Sequence, residues 1–276
     1  MSPLLTPSAV PIPAVMGVLN VTPDSFSDGG EHDDVERAVA RGLAMVSEGA
    51  MVIDVGGEST RPGAEPVGTE EELRRVVPVV EMLAHALDGS ARVSVDTRSP
   101  VVAAAAVDAG ATLINDVSAT LWPVAAELGV GWAAMHGCDD PRTMQVNPTY
   151  DDVVAEVVAF LVERASTAVG AGVAEVWIDP GFGFSKTPEH NLQVLARLDV
   201  FVATGWPVIM GTSRKSTLGL LLAEADGGAE PVPVDDRLEG SVATAVWSAF
   251  QGAAMVRVHD VAATVGAFTA AFGQPR

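Results

Sequence analysis

Only one of the 276 residues, Cys138, is a cysteine. No disulfide can form within the chain, and a reducing compartment is the simpler assumption. Asp139 and Asp140 beside it oppose thiolate formation, which argues against a nucleophilic role. Basic residues are scarce as well: 16 Lys and Arg against 36 Asp and Glu give a formal charge of −20. That balance excludes the basic surface that nucleic acid or an anionic membrane requires, although a few local cations suffice for a small anion. No segment approaches ~20 uninterrupted apolar residues, so no membrane span is expected. The first 13 residues hold Pro3, Pro7, Pro11 and Pro13 but no basic residue. They lack the charged start and apolar run of a signal peptide and read as a flexible lead-in, which makes the expected location cytoplasmic. The histidines, His32, His85, His136, His190 and His259, show no H-E-x-x-H spacing, and there is no cysteine cluster, so a protein-held zinc is not expected. A P-loop is missing, which removes support for ATP hydrolysis. Gly181-Phe182-Gly183 is the nearest approach to a dinucleotide fingerprint, but it lacks the third glycine.

What the chain does have is regular alternation. Short apolar runs at 14–19, 51–55, 92–95, 112–114, 130–134, 175–178, 207–210 and 254–256 read as strands covered on both faces. Helical stretches follow them. Asp33 or Asp34 would cap a helix to residue 48, and Thr69 with Glu72 has the spacing of a capping box for a helix to residue 87. Ser99-Pro100 opens an alanine-rich helix, and a short one spans 123–128. Asp151 or Asp152 starts another to residue 169, and further helices are expected over 188–202 and 237–250 and at the end of the chain. The acidic stretch 224–233 reads as a surface loop. Eight such units at this length predict a single (β/α)₈ TIM barrel over 14–273, with its working groups at the C-terminal ends of the strands.

Those ends are polar in register. Asn20, Glu58, Arg61, Asp96, Asn115, His136, Asp179, Lys215, Arg257 and His259 all lie at or just beyond them. Asp96, Asn115 and Asp179 supply acceptors and one amide donor, a set that suits a flat heterocycle with N–H donors along its edge. Each charge-assisted bond of this kind contributes about 1.5–3 kcal/mol when shielded from water. Arg257 could lie over the ring face. Phe182 and Phe184 read either as a wall of the site or as core packing. Arg257 and His259 are two apart on an extended segment and face one way; with Asn20 they suit an anionic portion such as a phosphate ester or pyrophosphate. The alternative reading of His259 is a histidine bonded to a backbone carbonyl. A Mg²⁺ ion chelated mainly by pyrophosphate and touched by one protein oxygen is compatible with this set.

Longer motifs carry a resemblance. The segments Gly17-Val18-Leu19-Asn20-Val21-Thr22-Pro23-Asp24-Ser25-Phe26-Ser27-Asp28-Gly29-Gly30 and Asp54-Val55-Gly56-Gly57-Glu58-Ser59-Thr60-Arg61-Pro62-Gly63 are the most specific. Val95-Asp96-Thr97, Ile114-Asn115-Asp116, Met135-His136, Asp179-Pro180-Gly181-Phe182-Gly183-Phe184, Ser213-Arg214-Lys215-Ser216 and Arg257-Val258-His259-Asp260 follow in order. Together they resemble the dihydropteroate synthase family over nearly the whole chain. The resemblance implies a (β/α)₈ barrel, usually a homodimer, that joins 6-hydroxymethyl-7,8-dihydropterin pyrophosphate to p-aminobenzoate and releases pyrophosphate. It implies a pterin pocket of Asp96, Asn115, Asp179, Phe182, Lys215 and Arg257. Asn20, Arg257 and His259 would take the pyrophosphate, with Asn20 also near Mg²⁺. Phe26, Thr60, Arg61, Pro62, Phe184, Lys215 and Ser216 would take p-aminobenzoate, the first two loops closing over it. The chemistry would fall to Asp96, Lys215, Arg257 and Asn20, while Asp54 fits the pattern as an architectural residue. Two stretches depart from the family: 119–123 is shorter than the Gly-Gly-containing segment expected there, and Gly137-Cys138-Asp139-Asp140 replaces the usual continuation after Met-His.

Two rivals share the pterin carboxylates: a pterin-dependent methyltransferase serving a corrinoid partner, and a non-catalytic pterin-binding paralogue. Thr60-Arg61-Pro62 and Lys215-Ser216 favour the synthase over both. Arg61→Ala is expected to raise the KM for p-aminobenzoate while leaving that for the pterin substrate near its starting value. Steady-state kinetics with each substrate varied in turn would expose an unchanged p-aminobenzoate dependence, which would remove Arg61 from the site.

Overall fold

Strands and helices alternate along the chain as the apolar runs predict. The strands are β1 (Ala14–Asn20), β2 (Val52–Gly56), β3 (Arg92–Asp96), β4 (Leu113–Asp116), β5 (Gly131–Met135), β6 (Val176–Asp179), β7 (Ile209–Met210) and β8 (Met255–Val258). The helices are α1 (Glu31–Ser47), α2 (Thr69–Leu87), α3 (Pro100–Asp108), α4 (Trp122–Leu128), α5 (Val153–Gly170), α6 (Pro188–Ala196), α7 (Leu198–Val202), α8 (Ser216–Ala225), α9 (Leu238–Phe250) and α10 (Val261–Phe272). The structure, a computed structural model, describes residues 12–22, 31–58, 67–137 and 148–273. Phe26, Thr60, Arg61, Pro62 and Cys138, and the expected lead-in up to residue 11, lie outside the described residues.

All strand pairs are parallel, in the order β6-β5-β4-β3-β2-β1-β8-β7. The two outer strands meet through the bridge Ile178↔Val208 and the bond from Ile178 N–H to Pro207 O at 3.0 Å, which brings the sheet round into a nearly closed barrel. Helices cover its outer face, and one continuous apolar core fills the space between. A smaller cluster of Met16, Val52, Leu113, Ala133, Ile209 and Met255, with Ala14 and Trp177 against it, fills the lower half of the barrel. At the bottom rim Arg92 grips Glu175 with two bonds of 2.7 and 3.1 Å, and Trp177 Nε1 donates to the same carboxylate at 2.7 Å. The lower end is thus closed by side chains, leaving the upper end for chemistry.

Side-chain caps fix the starts of α3, α5 and α6. The Ser99 side chain accepts from Val102 N–H ahead of Pro100, and Asp152 accepts from Val154 and Ala155 N–H. The Thr69–Glu72 capping box does not form. Gly68 is the N-cap of α2, and buried Glu72 instead accepts from Thr97 Oγ1 at 2.7 Å. The helix expected over 188–202 is broken at Arg197 into α6 and α7. Helix α8 goes unforeseen because Ser-Thr-Leu-Gly-Leu-Leu-Leu-Ala-Glu-Ala shows no clean polar face from which to read a helical period.

The short turn after β4 is organised by one residue. Asp116, wholly buried, accepts from Ser118 N–H (2.9 Å), Ser118 Oγ (2.6 Å), Thr120 N–H (2.7 Å), Leu121 N–H (2.6 Å) and Trp132 Nε1 (3.0 Å). Those bonds hold Ala119 at a φ of 53°, a left-handed conformation that costs a side-chain-bearing residue about 1–2 kcal/mol. This is the stretch that is shorter than the family pattern, and Asp116 fixes it without the expected glycines. Asp116→Ala strands several buried donors and is expected to lower unfolding free energy by about 3 kcal/mol or more. Urea denaturation checks this; a loss below about 1 kcal/mol would mean that the turn holds without the carboxylate.

Candidate active site

Alternation along the strands selects which polar residues meet. Side chains two apart on a strand share a face, so counting in twos upward from the apolar floor stays inside the barrel. That count gives Val18 and Asn20, Asp54 and Gly56, Asn115, Met135, Asp179, Gly211, and Arg257 and His259. The pairings Asp54↔Ser94 and Gly56↔Asp96 add Ser94 and Asp96 on β3. The upper barrel is therefore polar by the same rule that makes the lower barrel apolar.

Arg257 links these groups. Its Nε donates to Asp54 Oδ2 at 2.6 Å and one terminal nitrogen to Asp96 Oδ2 at 2.6 Å. Asn115 Nδ2 donates to the same Asp54 oxygen at 2.8 Å. Asp179 accepts Gly181 N–H at 2.7 Å and reaches Arg257 across Gly211, where an added Cβ would lie 3.7 Å from Arg257 Cβ and 3.9 Å from Asp179 Oδ2. Lys215, just before α8, sets its ammonium 3.8 Å from the centre of the Phe184 ring. Phe184 packs with Val117 and Met135 on this side. Asn20 is half-buried at the end of β1, and Ser216 is exposed at the first position of α8.

Burial and charge both act on Asp96, Asp179, Lys215 and Arg257. Burial pushes the Asp96 carboxyl up to about 7, against the pull of Arg257. Asp179 is also raised by burial, while the Gly181 N–H and Lys215 draw it back. Lys215 is brought down to about 7 by burial and by repulsion from Arg257. Burial works against the Arg257 charge, but Asp54 and Asp96 outweigh it and hold its pKa above the ordinary value. The mouth thus holds a permanent cation and two groups whose charge is adjustable near neutrality.

The loop after β6 is braced from behind. Gly181 has a φ of 68°, and a Cβ there would fall 1.8 Å from the His136 carbonyl oxygen, so only glycine fits. Lys186, 2% exposed, donates to the carbonyls of His136 (3.4 Å), Gly181 (3.2 Å) and Phe184 (3.1 Å) and meets His136 Nδ1 at 2.9 Å. Buried Asn191 accepts Gly183 N–H at 2.7 Å and donates to Thr217 Oγ1 at 3.0 Å, which ties this loop to α8. Tyr150 Oη donates to Ser185 O at 2.7 Å.

Several expectations change. His136 does not join the mouth: it falls out of phase with the inward Ala133 and Met135 and packs outside the barrel against Phe160, Tyr150 and Lys186. Phe182, proposed as a wall of the pterin pocket, is 1% exposed within the core between sheet and helices and offers a ligand no surface. Glu58 takes Arg98 in two bonds of 3.1 and 2.9 Å and accepts Val67 N–H, so its charge is spent on positioning chain. Asp54, read as architectural, proves to be the shared anchor of Arg257 and Asn115. Counting by twos would have found it, as an acid inside the buried strand Val-Ile-Asp-Val-Gly. Lys186 and Asn191 were missed, since a Lys or Asn near a helix start carries no sequence signal for burial.

A barrel with this donor and acceptor set at its mouth belongs to a class that residues 16–259 define directly: they match the family model described as "Pterin binding enzyme". Dihydropteroate synthase of Escherichia coli (strain K12) is 47% identical over 261 residues, covering 92% of this chain and 89% of that protein. The structure of Xanthomonas albilineans dihydropteroate synthase with 4-aminobenzoic acid superposes with a TM-score of 0.85 at 49% identity, covering 94% of this chain and 92% of that one. The same enzyme in complex with 7,8-dihydropteroate gives 0.81 at 46% identity, covering 96% and 94%. The chain belongs to the dihydropteroate synthase family, transferases of folate synthesis that condense 6-hydroxymethyl-7,8-dihydropterin pyrophosphate with p-aminobenzoate.

The brace gives a pH signature. Burial, then the nearby Lys186 charge, lower the His136 pKa from 6.5 to about 3. As pH falls the unfolded chain therefore takes up this proton first. Stability from a neutral His136 is complete above pH 6.5 and drains between 6.5 and about 3. The stability lead of wild type over His136→Gln in urea unfolding is expected to narrow by up to about 1.4 kcal/mol per pH unit below 6.5. A lead independent of pH would show that His136 titrates freely in the fold.

Proposed function

We infer that the barrel mouth carries out the family condensation with the pterin held by its hydrogen-bonding edge. The observation that carries this reading is the continuous set Asp96–Arg257–Asp54–Asn115, with Asp179 and Lys215 beside it, inside one barrel end. Asp96, Asn115 and Asp179 take the N–H-rich edge of the pterin, and Lys215 donates to its acceptor atoms. Arg257 occupies one oxygen of Asp96; the pterin replaces that bond, and the guanidinium lies against the ring face while Asp54 keeps its Nε.

Asn20, Arg257 and His259 form the pyrophosphate side. When the C–O bond to pyrophosphate breaks, negative charge grows on the leaving group and positive charge spreads over the pterin. Arg257 stabilises the first by preorganised electrostatics, and the Asp96 carboxylate stabilises the second. The arylamine nitrogen then attacks the exocyclic methylene and loses a proton. Phe184 and Ser216, with Phe26, Thr60, Arg61 and Pro62, line the p-aminobenzoate site in this reading.

A Mg²⁺ ion fits the residues present only as a passenger of the substrate. Among the described residues no group of three or more His, Cys, Asp or Glu could hold a metal, and Asn20 offers a single amide oxygen. Such an ion would take its remaining ligands from phosphate and water and would neutralise charge on the pyrophosphate. A homodimer is supported by the outer face of α9, where Trp247 is 45% and Phe250 52% exposed, since aromatic residues are enriched at interfaces. The single cysteine supports a cytoplasmic location, and the domain runs over 14–273.

The test is an assay with both substrates that follows pyrophosphate and 7,8-dihydropteroate together; their equimolar appearance is expected, and pterin binding without either product would overturn the reading. Asp96→Asn is expected to lower kcat by two or more orders of magnitude while shifting unfolding free energy by about 1 kcal/mol or less. Equal losses in both would make Asp96 a structural group.

A further inference from the structure

Ser213 precedes Arg214 and Lys215 in the loop after β7, and both hydrogen-bond partners of its hydroxyl belong to one residue. His259 backbone N–H donates to Ser213 Oγ at 3.2 Å. The His259 ring nitrogen Nδ1 lies 3.0 Å from the same oxygen. A backbone N–H can only donate, so the hydroxyl hydrogen still needs an acceptor. Ser213 is 4% exposed, and no other acceptor reaches it among the described residues. Leaving that hydrogen unpaired costs about 1–3 kcal/mol, so it is aimed at Nδ1. Nδ1 then accepts, and the one ring hydrogen of the neutral imidazole sits on Nε2. No protein group among the described residues takes Nε2.

We propose that Ser213 is a positioning residue that holds His259 in its Nε2–H tautomer, so that the imidazole offers a neutral N–H donor to the anionic leaving group. The proposal rests on the reading of His259 as part of the pyrophosphate side. The surroundings agree with a neutral ring. Burial, then Arg257, Arg214 and Lys215, bring its pKa down to about 3, and the one opposing acid, Asp260, is engaged by Arg214 at 3.0 and 2.6 Å. A fourth cation beside those three would repel them. A neutral donor adds a directed bond without that repulsion, and its strength does not change across the neutral pH range.

Nitrogen-15 NMR of histidine-labelled protein tests this, with the His259 signals assigned by their loss in His259→Gln. The expected wild-type result at pH 7 is a neutral ring protonated on Nε2, with signals that shift on titration with pyrophosphate. Ser213→Ala is expected to mix the tautomers. It should also lower kcat/KM for the pterin pyrophosphate on the order of ten- to a hundredfold with the KM for p-aminobenzoate unchanged, and Ser213→Thr, which keeps the hydroxyl, should restore both. A wild-type ring protonated on Nδ1, or charged at pH 7, overturns the proposal without any variant, as does an unchanged tautomer in folded Ser213→Ala. An Nε2–H ring whose signals pyrophosphate does not move overturns the pyrophosphate role of His259 instead.

Discussion

A guanidinium inside a barrel floored with Met, Val, Leu and Ile is stable only if its charge is met at once. Arg257 is met twice, by Asp54 below and Asp96 above. Isolated buried ions cost several kcal/mol each, and mutual attraction offsets this only with good geometry and further hydrogen bonds. Asn115 supplies one of those bonds to Asp54, while Asp54 Oδ1 and the neighbouring Ser94 Oγ have no partner among the described residues. The arrangement is therefore under-satisfied. It is electrostatically complete for the cation and incomplete for the acids, which favours a ligand bringing donors and disfavours one bringing acceptors alone.

The scaffold around this cluster is built to keep it from relaxing. A packed lower barrel and a closed bottom rim leave the strands no room to shift. Behind the site, Lys186 gathers the carbonyls of His136, Gly181 and Phe184 around one ammonium, and Asn191 couples the β6 loop to α8. Phe184 and Lys215 sit on opposite sides of that coupling and touch across it. Lys186 serves as a hydrogen-bonding strut for the loop, and burial brings its pKa down to about 7. Orientation of reacting groups rests on such supports, because small displacements cost large factors in rate.

Much of this was legible in the residues themselves. The eight βα units follow from apolar runs and breakers, and the polar strand ends mark the working rim. Phe182 and His136 show the limit: both stand in the right motif beside the right neighbours, and both turn away from the mouth. For His136 the reason is phase, since one step along β5 exchanges inside for outside. For Phe182 it is the positive-φ turn at Gly181 and Gly183, whose effect on side-chain direction cannot be read from composition. The two segments richest in family motif, around Phe26 and around Arg61, carry the p-aminobenzoate assignments on sequence alone.

Sequence by itself determined the alternation of elements, the family, and the set of residue types at the mouth, because each depends on local pattern or short contiguous motifs. Tertiary structure decided which of those side chains touch. Asp54 and Arg257 are 203 residues apart, Arg257 and Asp96 161, and Ser213 and His259 46. Contacts of that span are fixed by strand order, register and the inward or outward phase of each strand. Those are properties of the closed barrel that no single stretch of chain contains.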